Sequence, residues 1–321
     1  MPMEQTRTGR TRYRAPVKDG SGAGLAWLAD SARWDDFDWR TGDIVISAPA
    51  KCGTTWTQMI CALLVFQTAD LPAPLTELSP WLDMLVRPIS DVRAQLAAQR
   101  HRRFIKTHTP LDGVPVDDRV TYIAVGRDPR DVALSLHHHR ANLAHEAVLR
   151  ALNAAGAEQV TDRPQDPTDV RETFQRWMYD DASPLDDPYT LRALVTHQGQ
   201  AWSRRDDPNL VLLHYHDLSR DLDTQMRRIA ERLDIHVPEK SWPALVAAAS
   251  FEQMRDRSAK LVPDERLGLI ADPVRFFRTG SSGDWRNHLT DGDLAAYRQR
   301  LASLATPELT NWLHHGNPST T

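Results

Sequence analysis

The sequence has little of what would mark a chain stapled, metal-built or sent to a membrane. Its only two cysteines in 321 residues, Cys52 and Cys61, lie too close together in one patterned segment to form a disulfide framework. No Cys/His spacing matches a structural zinc site, so no metal is expected. No stretch approaches the roughly 20 uninterrupted apolar residues of a membrane-spanning helix. The N-terminus carries Arg7, Arg10, Arg12 and Arg14 without the apolar block of a secretory signal, and a cytoplasmic location is the default expectation. An excess of positive charge is missing as well: 39 basic against 43 acidic residues give a formal net charge of −4. The general basic field of a nonspecific nucleic-acid binder is therefore absent, and any polyanion must be met by local arginines and lysines.

What is present is ordinary globular composition, 41% hydrophobic and 26% charged. The length allows about two domains by the rule of roughly 150 residues each, but α/β folds of this size often form one continuous core. Residues 1–25 are polar, Arg-rich and Gly-rich without a period of 2 or 3.6, and are read as a flexible tail before a domain spanning 26–321. Four short apolar runs read as buried parallel strands: Asp43–Ser47, Arg103–Thr107, Val120–Val125 and Leu210–His214. Helical spacing follows in Trp56, Met59, Ile60 and Leu63, and again in Val132, Ser135, Leu136 and His139. Strand followed by helix, repeated, predicts an α/β domain with a central parallel sheet flanked by helices. The segment from Ala144 to Asp187 carries Pro164, Pro167 and Pro184 among acidic residues, which predicts long loops or a mobile lid.

Ligands of open α/β sheets sit beyond the carboxyl ends of the strands, so the strand ends supply the candidates. The first strand runs into Pro49-Ala50-Lys51-Cys52-Gly53-Thr54-Thr55-Trp56 and directly into a helix. Free N–H groups of a first helical turn, the dipole, a lysine and two hydroxyls make a phosphate cradle, whereas the plainer alternative is a threonine-capped helix after a loop. The lysine precedes the glycine, so this is not the standard G-x-x-x-x-G-K-[ST] loop. The second strand ends in Lys106-Thr107-His108-Thr109-Pro110, placing Lys106 and His108 on one side of the extended chain. His108 is either a general base or a hydrogen-bonded structural residue. The third runs into Gly126-Arg127-Asp128-Pro129, with Asp128 as N-cap and Pro129 at the first helical position. Arg127 there suits a phosphate dianion, or pairs with Asp128 or Asp131. Near the C-terminus, Phe277-Arg278-Thr279-Gly280 offers an arginine in a glycine-containing loop. His137, His138 and His139 are consecutive on a helix and cannot converge on one metal ion.

Taken together, Lys51 to Trp56, Lys106 to Pro110, Arg127 with Ser135, and Phe277 to Gly280 with Gly283-Asp284-Trp285 resemble the cytosolic-type sulfotransferases, in order and spacing, over roughly residues 40–290. The resemblance implies the sulfotransferase fold, akin to P-loop kinases, and 3′-phosphoadenosine 5′-phosphosulfate as cosubstrate with 3′,5′-adenosine bisphosphate (PAP) as product. It further implies that Lys51, Cys52, Gly53, Thr54, Thr55 and Trp56 hold the 5′-phosphosulfate side of the donor. Arg127, Ser135, Arg278, Thr279 and Gly280 would hold the 3′-phosphate, and Phe251 and Met254 would pack on adenine or in the core. His108 would be the base, with Lys51 and Lys106 as catalytic cations. The Leu71-Pro-Ala-Pro-Leu75 and Ser79-Pro-Trp-Leu-Asp83 context is most similar to bacterial glycolipid sulfotransferases, so a small-molecule or glycolipid hydroxyl is the expected acceptor, with Leu78 to Leu85 as an apolar wall.

The chain departs from the family pattern at several places. Thr279 stands where lysine is usual, Val195 replaces an adenine-side tyrosine, and Arg286 to Ala295 lacks the valine and glutamate of the family's dimer motif, so that mode of dimerisation is unsupported. Cys52 replaces a small residue or serine at a helix N-terminus, where a thiol pKa is expected to fall and oxidation sensitivity to follow. Two alternatives stay open: an ATP-dependent kinase of the same superfamily, which would need Mg²⁺, and a noncatalytic nucleotide sensor.

Overall fold

Four short runs of Ile, Val, Leu, Phe and Tyr pair as strands because their residues are covered on both faces and must satisfy their backbone groups in a ladder. In the computed structural model, which describes residues 7–14, 28–154, 169–263, 265–278 and 280–317, these are β1 (Ile44–Ser47), β2 (Phe104–Thr107), β3 (Thr121–Gly126) and β4 (Leu210–His214). Their positions agree with the apolar runs to within a residue or so, and all but Thr121 are buried. All pairings are parallel, in the order β2-β1-β3-β4. Ser47 pairs with Thr107 on one side and Ala124 on the other, and Gly126 pairs with His214, so the four carboxyl ends share one edge.

From β1 the chain crosses to β2 on one side, whereas β3 and β4 lie on the other. With right-handed crossovers this sends the connections to opposite faces and opens a crevice at the end of β1. The return to β2 begins with α1 (Thr54–Phe66), which packs on β1 and β2 and against the Leu75–Leu78 and Trp242–Ala248 helices. Being covered from several directions, α1 buries Cys61, Ala62 and Leu64 as completely as Met59, Ile60 and Leu63, so its apolar surface is wider than one helical stripe. Helix α2 (Pro129–Arg140) starts as expected, with the Asp128 carboxylate accepting from Arg130 N–H and Pro129 in the first turn. Helix α3 (Leu191–Ser203) packs on β3, and α4 (Tyr215–Arg220) leaves β4 without a loop. Among the described residues, no helix is long and apolar enough to cross a membrane.

One expectation needs correction. Within the stretch read as a flexible tail, residues 7–14 are docked on the body: Tyr13 is 2% exposed, its hydroxyl donates to Asp112 at 2.8 Å, and Ser31 N–H donates to its carbonyl at 2.8 Å. Arg10 pairs with Asp35 and Arg12 with Asp30. The basic stretch is anchored by acids that lie well downstream, which a local composition window does not see. In the segment from Ala144 to Asp187, expected to hold long loops or a mobile lid, helices His145–Ala154 and Val170–Tyr179, the second capped by Asp169, flank residues 155–168, which with Pro164 and Pro167 lie outside the described residues.

At the end of β3, a Cβ on Gly126 would stand 2.1 Å from the Trp312 ring of the Pro307–His315 helix. Overpacking of this kind costs about 1–3 kcal/mol, so Gly126→Ala lowers the unfolding midpoint in a thermal melt, while Gly292→Ala, which meets nothing closer than 3.7 Å, leaves it nearly unchanged.

Candidate active site

The β1 exit turns into α1 through two left-handed residues, Lys51 at φ 67° and Gly53 at φ 98°. Glycine takes this conformation without strain, but a lysine there costs about 1–2 kcal/mol. A Cβ at position 53 would also approach Tyr215 to 3.0 Å. No side chain caps α1, so the threonine-cap alternative does not hold, and Thr54 Oγ1 is buried without a hydrogen-bond partner. Uncapped N–H groups, a buried hydroxyl and Lys51 thus lie together at the positive end of the helix.

The turn borders a cavity of about 1220 Å³, its open mouth included, lined by Lys51, Gly53, Thr54, Thr55, Trp56, Lys106, His108, Arg127, Ser135, Phe251, Met254, Arg278 and Gly280. All four stretches singled out in the sequence therefore meet at one place. The Arg127 guanidinium donates to the Lys51 carbonyl at 2.7 Å and stacks 4.0 Å from the Tyr215 ring centre; it does not pair with Asp128, whose carboxylate is taken by Arg130. Its Nε makes no hydrogen bond. Arg278 is held by Asp284 at 2.6 Å, and Gly283 N–H, in the same loop, donates to Asp131 at 2.9 Å. Gly280 has φ 65°, and a Cβ there would run into the Phe251 ring at 2.3 Å. Thr279 lies outside the described residues.

Burial and the neighbouring Arg127, Lys106 and Arg278 push the Lys51 pKa down to about 7. Its ammonium lies 4.2 Å from the Phe276 ring centre, and that of Lys106 lies 4.1 Å from Trp81. The nitrogen Nδ1 of His108 is 2.6 Å from the Ala48 carbonyl. A carbonyl only accepts, so Nδ1 carries the proton and Nε2 is left with its lone pair. Burial, then the charge of Lys106, holds the His108 pKa well below the usual histidine range. His108 is therefore a neutral imidazole at pH 7, fixed in one tautomer. Cations to receive an anion and a neutral base border the same cavity.

A sulfotransferase-domain family model matches residues 41–305. The chain belongs to the sulfotransferase family. It is 42% identical to glycolipid sulfotransferases of Mycobacterium bovis and Mycobacterium tuberculosis, over 90% of this chain and 93% of each relative. Among solved structures, a retinol dehydratase in complex with retinol and PAP has a TM-score of 0.65 at 23% identity, covering 86% of this chain and 85% of the other. A mouse sulfotransferase complexed with PAP has a TM-score of 0.65 at 20% identity, covering 86% and 89%. At these identities the structural likeness shows a shared fold.

Against the sulfotransferase pattern, several placements differ from expectation. Cys52 does not line the cavity: it is 0% exposed, receives a hydrogen bond from Gln198 Nε2 at 3.2 Å, and burial pushes its pKa up to about 12. The side chain turns into the core, and desolvation outweighs the helix dipole that a sequence argument invokes. Val195 is likewise a core residue, 3% exposed. The cavity aromatics that sequence reasoning missed include Tyr215, edge-on to Trp56 at 5.2 Å, with Tyr189 and Phe276. Tyr215 was legible in principle, since it is the first residue past the β4 carboxyl end. In the Leu78–Leu85 wall, Trp81 and Met84 line the cavity whereas Leu78 and Leu82 are core. The histidine run diverges: His137 Nδ1 meets Thr173 Oγ1 at 3.1 Å, whereas His139 lies against Phe276 and borders the cavity.

The buried, protonated Cys52 thiol leads to a simple expectation: iodoacetamide at pH 8 leaves Cys52 unlabelled in the folded protein and labels it on unfolding, read by peptide mass spectrometry. Labelling of the native protein at the rate of a free thiol contradicts the placement.

Proposed function

We propose that the chain transfers a sulfuryl group from 3′-phosphoadenosine 5′-phosphosulfate to a hydroxyl of a small molecule or glycolipid, with His108 as the general base. The observation that carries this reading is the neutral, tautomer-fixed His108 facing a cavity crowded with cations. The residues fit a nucleotide bearing phosphates at two ends. Thr54 Oγ1 and Arg127 Nε are buried and lack partners, and Lys51 is depressed in pKa by burial and then by like charge, as expected of a site built for an anion. When bound, the donor supplies an activated sulfuryl group on a phosphate leaving group.

The chain's own residues then have separate tasks. His108 Nε2 takes the acceptor proton, an effect typically worth about 10²–10⁴ in rate. Lys51 and Lys106 hold positive charge where negative charge grows on the bridging oxygen. Gly53, Thr54 and Thr55 offer the α1 N-terminus to the 5′ end, while Arg127, Ser135 and Arg278 with Gly280 take the 3′-phosphate. Trp56, Phe251, Met254 and Tyr215 supply apolar surface for the adenine. The remaining wall, with Trp81, Met84, Leu143, Val148, Leu269 and Ile270, suits the apolar part of an acceptor. The names of the mycobacterial relatives favour a glycolipid.

Labelled sulfate from the donor is expected to enter a species of a mycobacterial lipid extract with native protein, in the presence of EDTA, and not with His108→Ala, which still binds PAP in calorimetry. Because His108 stays neutral until well below its ordinary pKa, the rate at saturating donor does not fall on the acid side until Nε2 is protonated well below neutral, whereas capture of the donor weakens as the Lys51 ammonium is lost above about pH 7. Transfer by His108→Ala at the native rate removes the base assignment, and a requirement for Mg²⁺ with ATP bound better than PAP favours a kinase. For Arg278→Ala, loss of a charge-assisted contact worth about 1.5–3 kcal/mol weakens PAP binding by about ten- to a hundredfold; an unchanged Kd takes Arg278 out of the site.

A further inference from the structure

The end of β2 alternates. Lys106 and His108 border the cavity, while Thr107 and Thr109 are 0% exposed on the other side. Both hydroxyls donate to one oxygen, Oδ2 of Asp83, at 2.5 and 2.7 Å. Trp34 Nε1 donates to the same oxygen at 2.8 Å, and Thr109 N–H closes the arrangement by donating to Thr107 Oγ1 at 2.9 Å. Asp83 is itself 0% exposed. Its loop also carries Trp81, whose ring lies 4.1 Å from the Lys106 ammonium and meets the His108 ring edge-on at 4.6 Å. Lys106 N–H is tied to the Pro80 carbonyl at 3.0 Å, and Asp30 N–H to that of Asp83 at 2.9 Å.

One carboxylate thus gathers the residues on both sides of His108, the loop that presses on His108 and Lys106, and the segment of Trp34. A fully buried carboxylate is costly and would be a poor way merely to join elements that apolar packing can join. What it adds is direction, because hydroxyl donors fix the rotation of the strand end and thereby the aim of the alternate side chains. We propose that Asp83 is a positioning residue for His108 and Lys106, acting through Thr107 and Thr109 to keep His108 Nδ1 on the Ala48 carbonyl and Nε2 toward the cavity. This rests on His108 being the base proposed above.

The test uses the full chain and needs no acceptor. ¹⁵N-imidazole NMR, with His108→Gln to identify the His108 signals, reads the tautomer and titration of His108 in native protein, Asp83→Asn and Thr109→Val; PAP calorimetry and thermal melting run alongside. The expected result is that both variants fold and bind PAP within about threefold of native, while His108 loses its single Nδ1-protonated tautomer and titrates at higher pH. A merely structural Asp83 lowers the melting midpoint and leaves the His108 signals native, and that result overturns the proposal. If Asp83→Asn fails to fold, Thr109→Val decides: a native His108 in that variant overturns it equally. Failure of the base assignment is seen separately, as sulfate transfer by His108→Ala.

Discussion

Like charge drawn into one partly buried cavity is the constraint around which this molecule is arranged. Lys51, Lys106, Arg127 and Arg278 all border it, and at an effective dielectric near 20 two unit charges about 4 Å apart repel by roughly 4 kcal/mol. The protein answers with a consistent device. The Lys51, Lys106 and Arg127 heads lie over the faces of Phe276, Trp81 and Tyr215, and Arg278 is paired with Asp284. Each cation–π contact returns only about 0.5–2 kcal/mol, which restrains the charges without neutralising them. Burial first and that imbalance second depress the Lys51 pKa, and an anion bearing several charges would relieve the repulsion.

The sheet makes this concentration possible. Because all four strands run the same way and end on one edge, loops that are distant in sequence deliver their residues to one crevice, at the strand where the connections diverge. Backbone strain is spent in the same place: the non-glycine residues at positive φ include Lys51, held there by the Arg127 contact to its carbonyl and by the close approach of Tyr215 to Gly53. The aim of His108 depends on the same edge. His108 leans on the Ala48 carbonyl from β1's exit, and the neighbouring threonines lean on Asp83, so its direction is set by groups outside its own strand.

Much of this is legible in the sequence, because the relevant signals are local. Short apolar runs bounded by turn residues locate the strands, Asp128-Pro129 marks a helix start, and a lysine and histidine two apart must share a side of a strand. Signals that depend on the surroundings misled. A helix N-terminus does lower the pKa of a thiol that faces it, yet the direction in which the Cys52 side chain turns is decided by packing against Gln198, and desolvation then dominates. The arginines of residues 7–14 looked like a free basic stretch because their acidic partners are far along the chain. Tyr215 carries no motif of its own; its place just past the β4 carboxyl end is the one local sign of it, and its contacts with Trp56 and Arg127 come only with the fold.

By itself the sequence determined the α/β class, the four strands, the family and the charged and motif residues that border the cavity, since periodicity, turn chemistry and ordered motifs are properties of neighbours along the chain. Only the tertiary structure decided which nitrogen of His108 holds its proton, that Cys52 is buried, which aromatics restrain the cations, and that Asp83 stands behind the threonines flanking His108. These are matters of burial and direction, and both are set by residues brought together from distant parts of the chain.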